Sequence, residues 1–86
     1  MAVLQQQPRT ILRLRGLLDR TGKGRSATYE DIKNGLMSCP VRLGRRAVGW
    51  PSDEADAINA ARIAGKSDDQ IRVLVRELEL ARKSAA

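Results

Sequence analysis

The sequence predicts an α+β fold, mostly α: a winged helix-turn-helix with a two-stranded wing hairpin and an extra C-terminal helix. Three observations predict it. Two short helical patterns are joined by the turn Gly22-Lys23-Gly24, and two helices joined by a glycine-bearing turn of this length make a helix-turn-helix unit. Between Val41 and Trp50 the period changes to two around a tip, Leu43-Gly44-Arg45-Arg46, that carries a glycine. After Ser67 an apolar stripe returns at helical spacing. A chain of 86 residues has room for one small domain with a modest core.

Residues 1–8 contain three consecutive glutamines and a proline, show no periodic apolar pattern, and read as a flexible N-terminal arm. Ile11-Leu12-Arg13-Leu14 reads as a short strand running into a helix over roughly residues 14–21, with Leu14, Leu17 and Leu18 on one face. Gly16 inside that helix costs about 1 kcal/mol against alanine, so packing must hold the helix. Gly22 ends it in a left-handed conformation. The second helix starts at once, with Gly24 or Ser26 as its N-cap, and ends before Gly35. Thr28, Tyr29 and Ile32 fall near one side of it. Arg25, Ser26, Ala27, Glu30 and Lys33 fall on the other side or at the start, the end that such a helix normally presents to base edges.

In the hairpin, Val41 and Leu43 alternate with Arg42, and Val48 and Trp50 alternate with Gly49. This predicts one apolar face, with Trp50 as a core anchor rather than a base-stacking platform. Pro51-Ser52-Asp53-Glu54 opens a third helix whose first-turn acids suit the helix dipole. Its core face is Ala55, Ile58 and Ala61 or Arg62, and Gly65 ends it. Ser67-Asp68-Asp69-Gln70 is a capping box. The helix that follows carries Ile71, Leu74, Val75 and Leu78 as a stripe, widened by Leu80 and Ala81. That stripe either folds back on the small core or serves as an oligomerisation surface for a second copy.

The net charge is +6, and it is unevenly spread. Residues 9–50 hold ten Lys/Arg against three Asp/Glu, whereas residues 51–86 hold six against seven. The asymmetry points to a polyanion on one face, nucleic acid ahead of an anionic membrane surface. A solvated basic surface that only keeps the protein soluble is the competing explanation. Aromatic residues are 2% of the chain, which leaves little to stack on unpaired bases and disfavours RNA.

The chain has no histidine and a single cysteine, Cys39, so neither a disulfide, a zinc site nor a nucleophile with its usual base can be assembled. Glu30-Asp31 and Asp68-Asp69 read as exposed surface or as N-terminal dipole complements rather than as acid/base pairs. No phosphate-cradling loop occurs. These readings exclude an enzyme and call for no cofactor and no metal. Cys39 is expected to be a small wall residue in a reducing cytoplasm rather than a reactive thiol. Nothing at the N-terminus resembles a signal peptide and no apolar run approaches a bilayer span, so a cytoplasmic location without membrane contact is expected.

Thr21-Gly22, Arg25-Ser26, Tyr29, Ile32-Lys33, Gly35, Pro40-Val41-Arg42-Leu43-Gly44, Val48-Gly49-Trp50, Glu54 and Ala60-Ala61-Arg62 occur in that order. The set resembles the AlpA-like phage and prophage regulators, small winged-helix proteins related in fold to MerR-type and excisionase DNA-binding domains. The resemblance covers roughly residues 9–64. Its most specific part is the run from Pro40 to Trp50 placed shortly after the helix with Ser26-x-x-Tyr29. It implies a double-stranded DNA-binding protein of a mobile element that acts as an excisionase (a recombination directionality factor), as a transcriptional regulator, or as both, with integrase or RNA polymerase as protein partners.

Carried over by position, Arg25, Ser26, Ala27, Tyr29 and Lys33 face the major groove or its phosphates, and Arg45 and Arg46 form the wing, with Arg42 on the same basic ribbon. The expected organisation is therefore an arm over 1–8, a winged-helix DNA-binding domain over 9–64, and a C-terminal helix over 67–83 for packing or dimerisation. One chain makes a small footprint, so several copies side by side or a dimer are expected on DNA. The competing function is a protein-interaction module on the same fold with weak or no DNA binding, its last helix recruiting a partner protein.

Overall fold

The chain runs β1 (Ile11–Leu12), α1 (Leu14–Thr21), α2 (Arg25–Lys33), β2 (Val41–Arg42), β3 (Val48–Pro51), α3 (Ser52–Ile63) and α4 (Asp68–Ser84). The computed structural model describes residues 9–84, and the expected N-terminal arm lies outside them. The architecture is α+β and mostly helical, as the periodicities predict. Gly22 adopts φ 75° and its N–H donates to Leu18 O, so the chain leaves α1 through a left-handed cap that favours glycine. Gly24, in an extended conformation, is the residue that caps α2. At the start of α4 the capping box forms in both directions: Gln70 N–H donates to Ser67 Oγ at 3.2 Å and Ser67 N–H to Gln70 Oε1 at 2.9 Å.

The sheet has three strands in the order β1-β3-β2, all antiparallel. The expected hairpin thus gains a third strand at its base, where Leu12 pairs with Trp50 and Ile11 with Pro51. Gly49 permits the approach. A Cβ there would collide with Ile11 Cγ2 and would lie 3.0 Å from Leu12 O and 3.1 Å from Leu43 Cδ1.

The hairpin does not have the single apolar face expected of it. Its register pairs Val41 with Gly49 and Arg42 with Val48, and directly paired residues share a face. Val48 and Trp50 therefore face the core together with Arg42's side of β2, while Val41 lies with Gly49 on the opposite face. The turn sets this register through the bond from Leu43 N–H to Ala47 O at 2.8 Å; a shift by one residue reverses every side chain.

Leu17, Met37, Trp50, Ala55, Ile58, Ile71 and Val75 form the buried core, with Leu12, Leu14, Ile32, Leu36, Val48, Ala61, Leu74 and Leu78 packed against it. Trp50 is fully buried, and its Nε1–H donates to Ser38 O at 3.0 Å, which makes it the expected anchor. The α4 stripe packs against this core, so Ile71, Leu74, Val75 and Leu78 meet the chain's own side chains. Full burial of a side chain such as Ile71 or Val75 contributes about 1.5–3 kcal/mol. Leu80 and Ala81 do not widen the stripe, because α4 presents them to solvent.

Two acids are buried, Asp31 against expectation and Glu54 in the first turn of α3, where the sequence predicts it. Asp31 is buried rather than exposed, because the helical repeat brings it beside buried Thr28 on the inner side of α2. Lys23 Nζ lies 2.6 Å from its Oδ2 and Arg62 Nη2 3.6 Å, so one carboxylate ties the interhelical turn and α3 to α2. Glu54 is 1% exposed, which is far more burial than a first-turn dipole acid needs. Arg82 of α4 holds it through two bonds, Nε to Oε2 at 2.8 Å and Nη2 to Oε1 at 2.7 Å.

Candidate nucleic-acid interface

The first turn of α2 is exposed on its outer side, while Thr28 turns inward one residue further on. Thr28, buried, donates its hydroxyl to Gly24 O at 2.9 Å, and Arg25, Ser26 and Ala27 before it are exposed. Arg25, Tyr29 and Lys33 follow each other at i, i+4 and i+8 and form one outward stripe, flanked by Ser26 and Glu30. Tyr29 is 45% exposed, although the helical pattern alone groups it with inward Thr28 and Ile32. On the hairpin, Arg42 is exposed at the end of β2, and the closed turn carries exposed Arg45 and Arg46 at its tip.

The ion pairs sort the cations. Arg9 pairs with Asp53 at 3.1 Å, Arg20 with Asp56 at 2.7 Å, Lys23 and Arg62 with Asp31, Arg72 with Asp69 at 2.9 Å, and Arg82 with Glu54. Among the described residues, none of Arg25, Lys33, Arg42, Arg45 and Arg46 makes an ion pair. Unneutralised positive charge therefore stands on α2 and on the hairpin. Among the described residues, Arg15, Lys66, Arg76 and Lys83 likewise make no ion pair, elsewhere on the surface.

Arg13 joins this set, and the sequence reading missed it. It occupies the N-cap position of α1 without a capping bond, and its Nε donates to Val48 O at 3.0 Å. Because Arg42 pairs with Val48 from the other strand, Arg13 and Arg42 flank the turn end of β3, one on either side of it. One of the five guanidinium donors is used, which leaves the rest of this exposed side chain to an outside acceptor. Only the pairing of β1 with β3 brings Arg13 there, and no local pattern encodes that pairing.

Cys39 is exposed rather than a wall residue, and α4 holds its backbone. Glu79 accepts from its N–H at 2.8 Å and Arg82 donates to its carbonyl at 2.7 Å. Its thiol is pushed above the usual range, first by desolvation, then by the charge of Glu79 and a hydrogen bond to it, with Arg82 opposing. Among the described residues no group of three or more His, Cys, Asp or Glu could hold a metal ion. No described helix is long and apolar enough to cross a membrane.

A small α+β protein with an exposed short helix and a cationic hairpin is of the winged-helix-like class. Residues 10–59 match the family model described as prophage CP4-57 regulatory protein (AlpA). The match takes in more than half of the chain, and the chain belongs to that family of prophage regulatory proteins. It ends inside α3, so α4 lies beyond it. No curated protein and no solved structure matches the chain.

Proposed function

We propose that this protein binds double-stranded DNA sequence-specifically as a regulator of an integrated element, acting as an excisionase, as a transcriptional regulator, or as both. One observation carries the proposal: in a chain of a prophage regulatory family, exposed cations without an acidic partner among the described residues stand on α2 and on the hairpin. In this reading Arg25, Ser26, Ala27, Tyr29 and Lys33 meet the major groove and its phosphates. Arg42, Arg45 and Arg46, with Arg13 beside the turn end of β3, meet the backbone or the adjacent minor groove. The protein works in the cytoplasm. Copies assemble side by side on the duplex, and integrase or RNA polymerase is the protein partner. Ile71, Leu74, Val75 and Leu78 already pack on the core, so another surface must carry any contact between copies. Excision and transcriptional control use the same contacts and differ in DNA bending and in the recruited protein.

Fluorescence anisotropy with duplex DNA across a salt series tests the proposal. Each neutralised phosphate contributes about 0.9 to the slope of log affinity against log salt. Arg45→Ala with Arg46→Ala should weaken binding to every sequence and lower that slope by roughly 2. Substitution of Ser26 or Lys33 should instead change site preference. A double variant that binds as tightly as the parent at all salt concentrations rejects the hairpin as a contact. No binding at low salt rejects the proposal as a whole.

A further inference from the structure

The helix beyond the matched family stretch reaches back to the segment that joins α2 to the hairpin. Residues 34–40 form neither helix nor strand; α2 carbonyls take the N–H groups of residues 34–36 and Trp50 serves Ser38 O, but Asn34 O and the Cys39 backbone need partners from elsewhere. α4 supplies partners at both ends. Arg72 Nε donates to Asn34 O at 2.9 Å, just after α2. Glu79 Oε2 accepts from Cys39 N–H at 2.8 Å, and Arg82 Nη2 donates to Cys39 O at 2.7 Å, just before β2. The same Arg82 is fixed to buried Glu54, and Arg72 is braced by Asp69 at 2.9 Å. Residues 72, 79 and 82 recur at i, i+7 and i+10, which keeps them on one side of the helix along the connector. Between them lies a groove of about 360 Å³ whose walls include Gly35, Met37, Arg72 and Glu79.

We infer that α4 is a strap that sets the placement of α2 relative to the hairpin, and that Arg72, Glu79 and Arg82 are positioning residues for DNA binding. The inference rests on the DNA-binding reading above. α2 is held to the body mainly by Thr28, Asp31 and half-buried Ile32, and its covalent path to β2 is the connector. If the connector were loose, ordering α2 and the hairpin against one duplex would fall on the binding step. A strapped connector has both in place beforehand.

Two substitutions at Glu79 separate positioning from charge. Glu79→Ala and Glu79→Gln remove the same negative charge, yet the glutamine carbonyl can still accept from Cys39 N–H. Charge removal alone raises affinity for a polyanion equally in both. The strap predicts that Glu79→Gln binds duplex at least as tightly as the parent. Glu79→Ala should bind about five- to tenfold more weakly, the equivalent of one hydrogen bond. The salt slope stays the same in all three, since no phosphate contact is lost. Thermal midpoints recorded alongside fix an assay temperature at which every variant is folded. Arg72→Ala tests the other end of the strap: weaker binding at an unchanged slope supports it, whereas a slope lower by about one marks Arg72 as a direct phosphate contact.

Equal affinity of the two Glu79 variants overturns the inference. If the parent itself fails to bind, the DNA reading falls and the strap is judged on the free protein by amide hydrogen exchange. The Leu36 and Leu43 amides, bonded to Asp31 O and Ala47 O, should then exchange faster in Glu79→Ala but not in Glu79→Gln. Unchanged exchange overturns it there.

Discussion

Replacing Arg82 by methionine tests most severely how α4 is joined to the rest of the fold. Glu54 is 1% exposed and its carboxylate takes two bonds from Arg82, whose own side chain is 22% exposed. Removing the guanidinium leaves a desolvated charge without its partner, which costs roughly 3–5 kcal/mol. Whole domains are stable by about 0.05–0.15 kcal/mol per residue, so that loss is a large part of what an 86-residue chain has. The companion variant is Glu54→Met with Arg82→Met, which removes both charges and keeps apolar volume. Replacing a buried ion pair in this way is often neutral or better, so the double variant should recover most of the loss.

Urea unfolding measures this directly. Trp50 is the sole tryptophan, is fully buried and donates to the connector at Ser38 O, so its fluorescence reports on the region that α4 is tied to. Far-ultraviolet circular dichroism reports the helices in parallel. A loss below about 1 kcal/mol in Arg82→Met, or a double variant no more stable than the single one, would refute the claim that Glu54 depends on Arg82.

Other outcomes follow from single positions. Gly49→Ala should separate β1 from β3, because its Cβ would meet Ile11, Leu12 and Leu43; loss of amide protection at Leu12 and Trp50 is the readout. Gly16→Ala should stabilise by up to about 1 kcal/mol in urea unfolding, since the added Cβ meets only Leu12 atoms at 3.7 and 3.8 Å, ordinary contact distances. Cys39 should alkylate more slowly at neutral pH than a free thiol despite its exposure, because its raised pKa lowers the thiolate fraction. Its rate should rise through a midpoint above the ordinary thiol range, and Glu79→Ala should move that midpoint down.

The sequence made the elements legible because their signals are local. Gly22 past α1, the Ser67–Gln70 box and the stripe from Ile71 to Leu78 each announce a helix end or a helix face within a few residues. The alternation from Val41 to Trp50 announced a hairpin, but which faces pair depends on the turn, and the Leu43 to Ala47 closure set a register that splits the apolar residues between two sides. An apolar stripe looks the same whether it covers its own core or a second copy, so the docking of α4 could not be read from it.

The candidate site was legible in part for the same reason. Exposed Arg25, Ser26, Ala27, Glu30 and Lys33 on α2 follow from helical periodicity and the hairpin tip from its glycine-bearing turn, whereas the same helical pattern groups Tyr29 with the inward residues. Arg13 enters only through the pairing of β1 with β3, and Asp31 and Glu54 are buried only because Lys23, Arg62 and Arg82 arrive from elsewhere in the chain. Burial of a charge depends on such distant partners, whereas surface charge does not.

The central claim is that α2 and the hairpin meet one duplex together. An NMR titration of the isotope-labelled protein with a duplex selected from a random pool tests it most directly. The account predicts that amides of Arg25–Lys33 and of Arg42–Arg46 shift along one common saturation curve, while those of outward Ile63, Val73 and Leu80 do not move. A response from only one of the two elements, or one centred on α3 and α4, contradicts it.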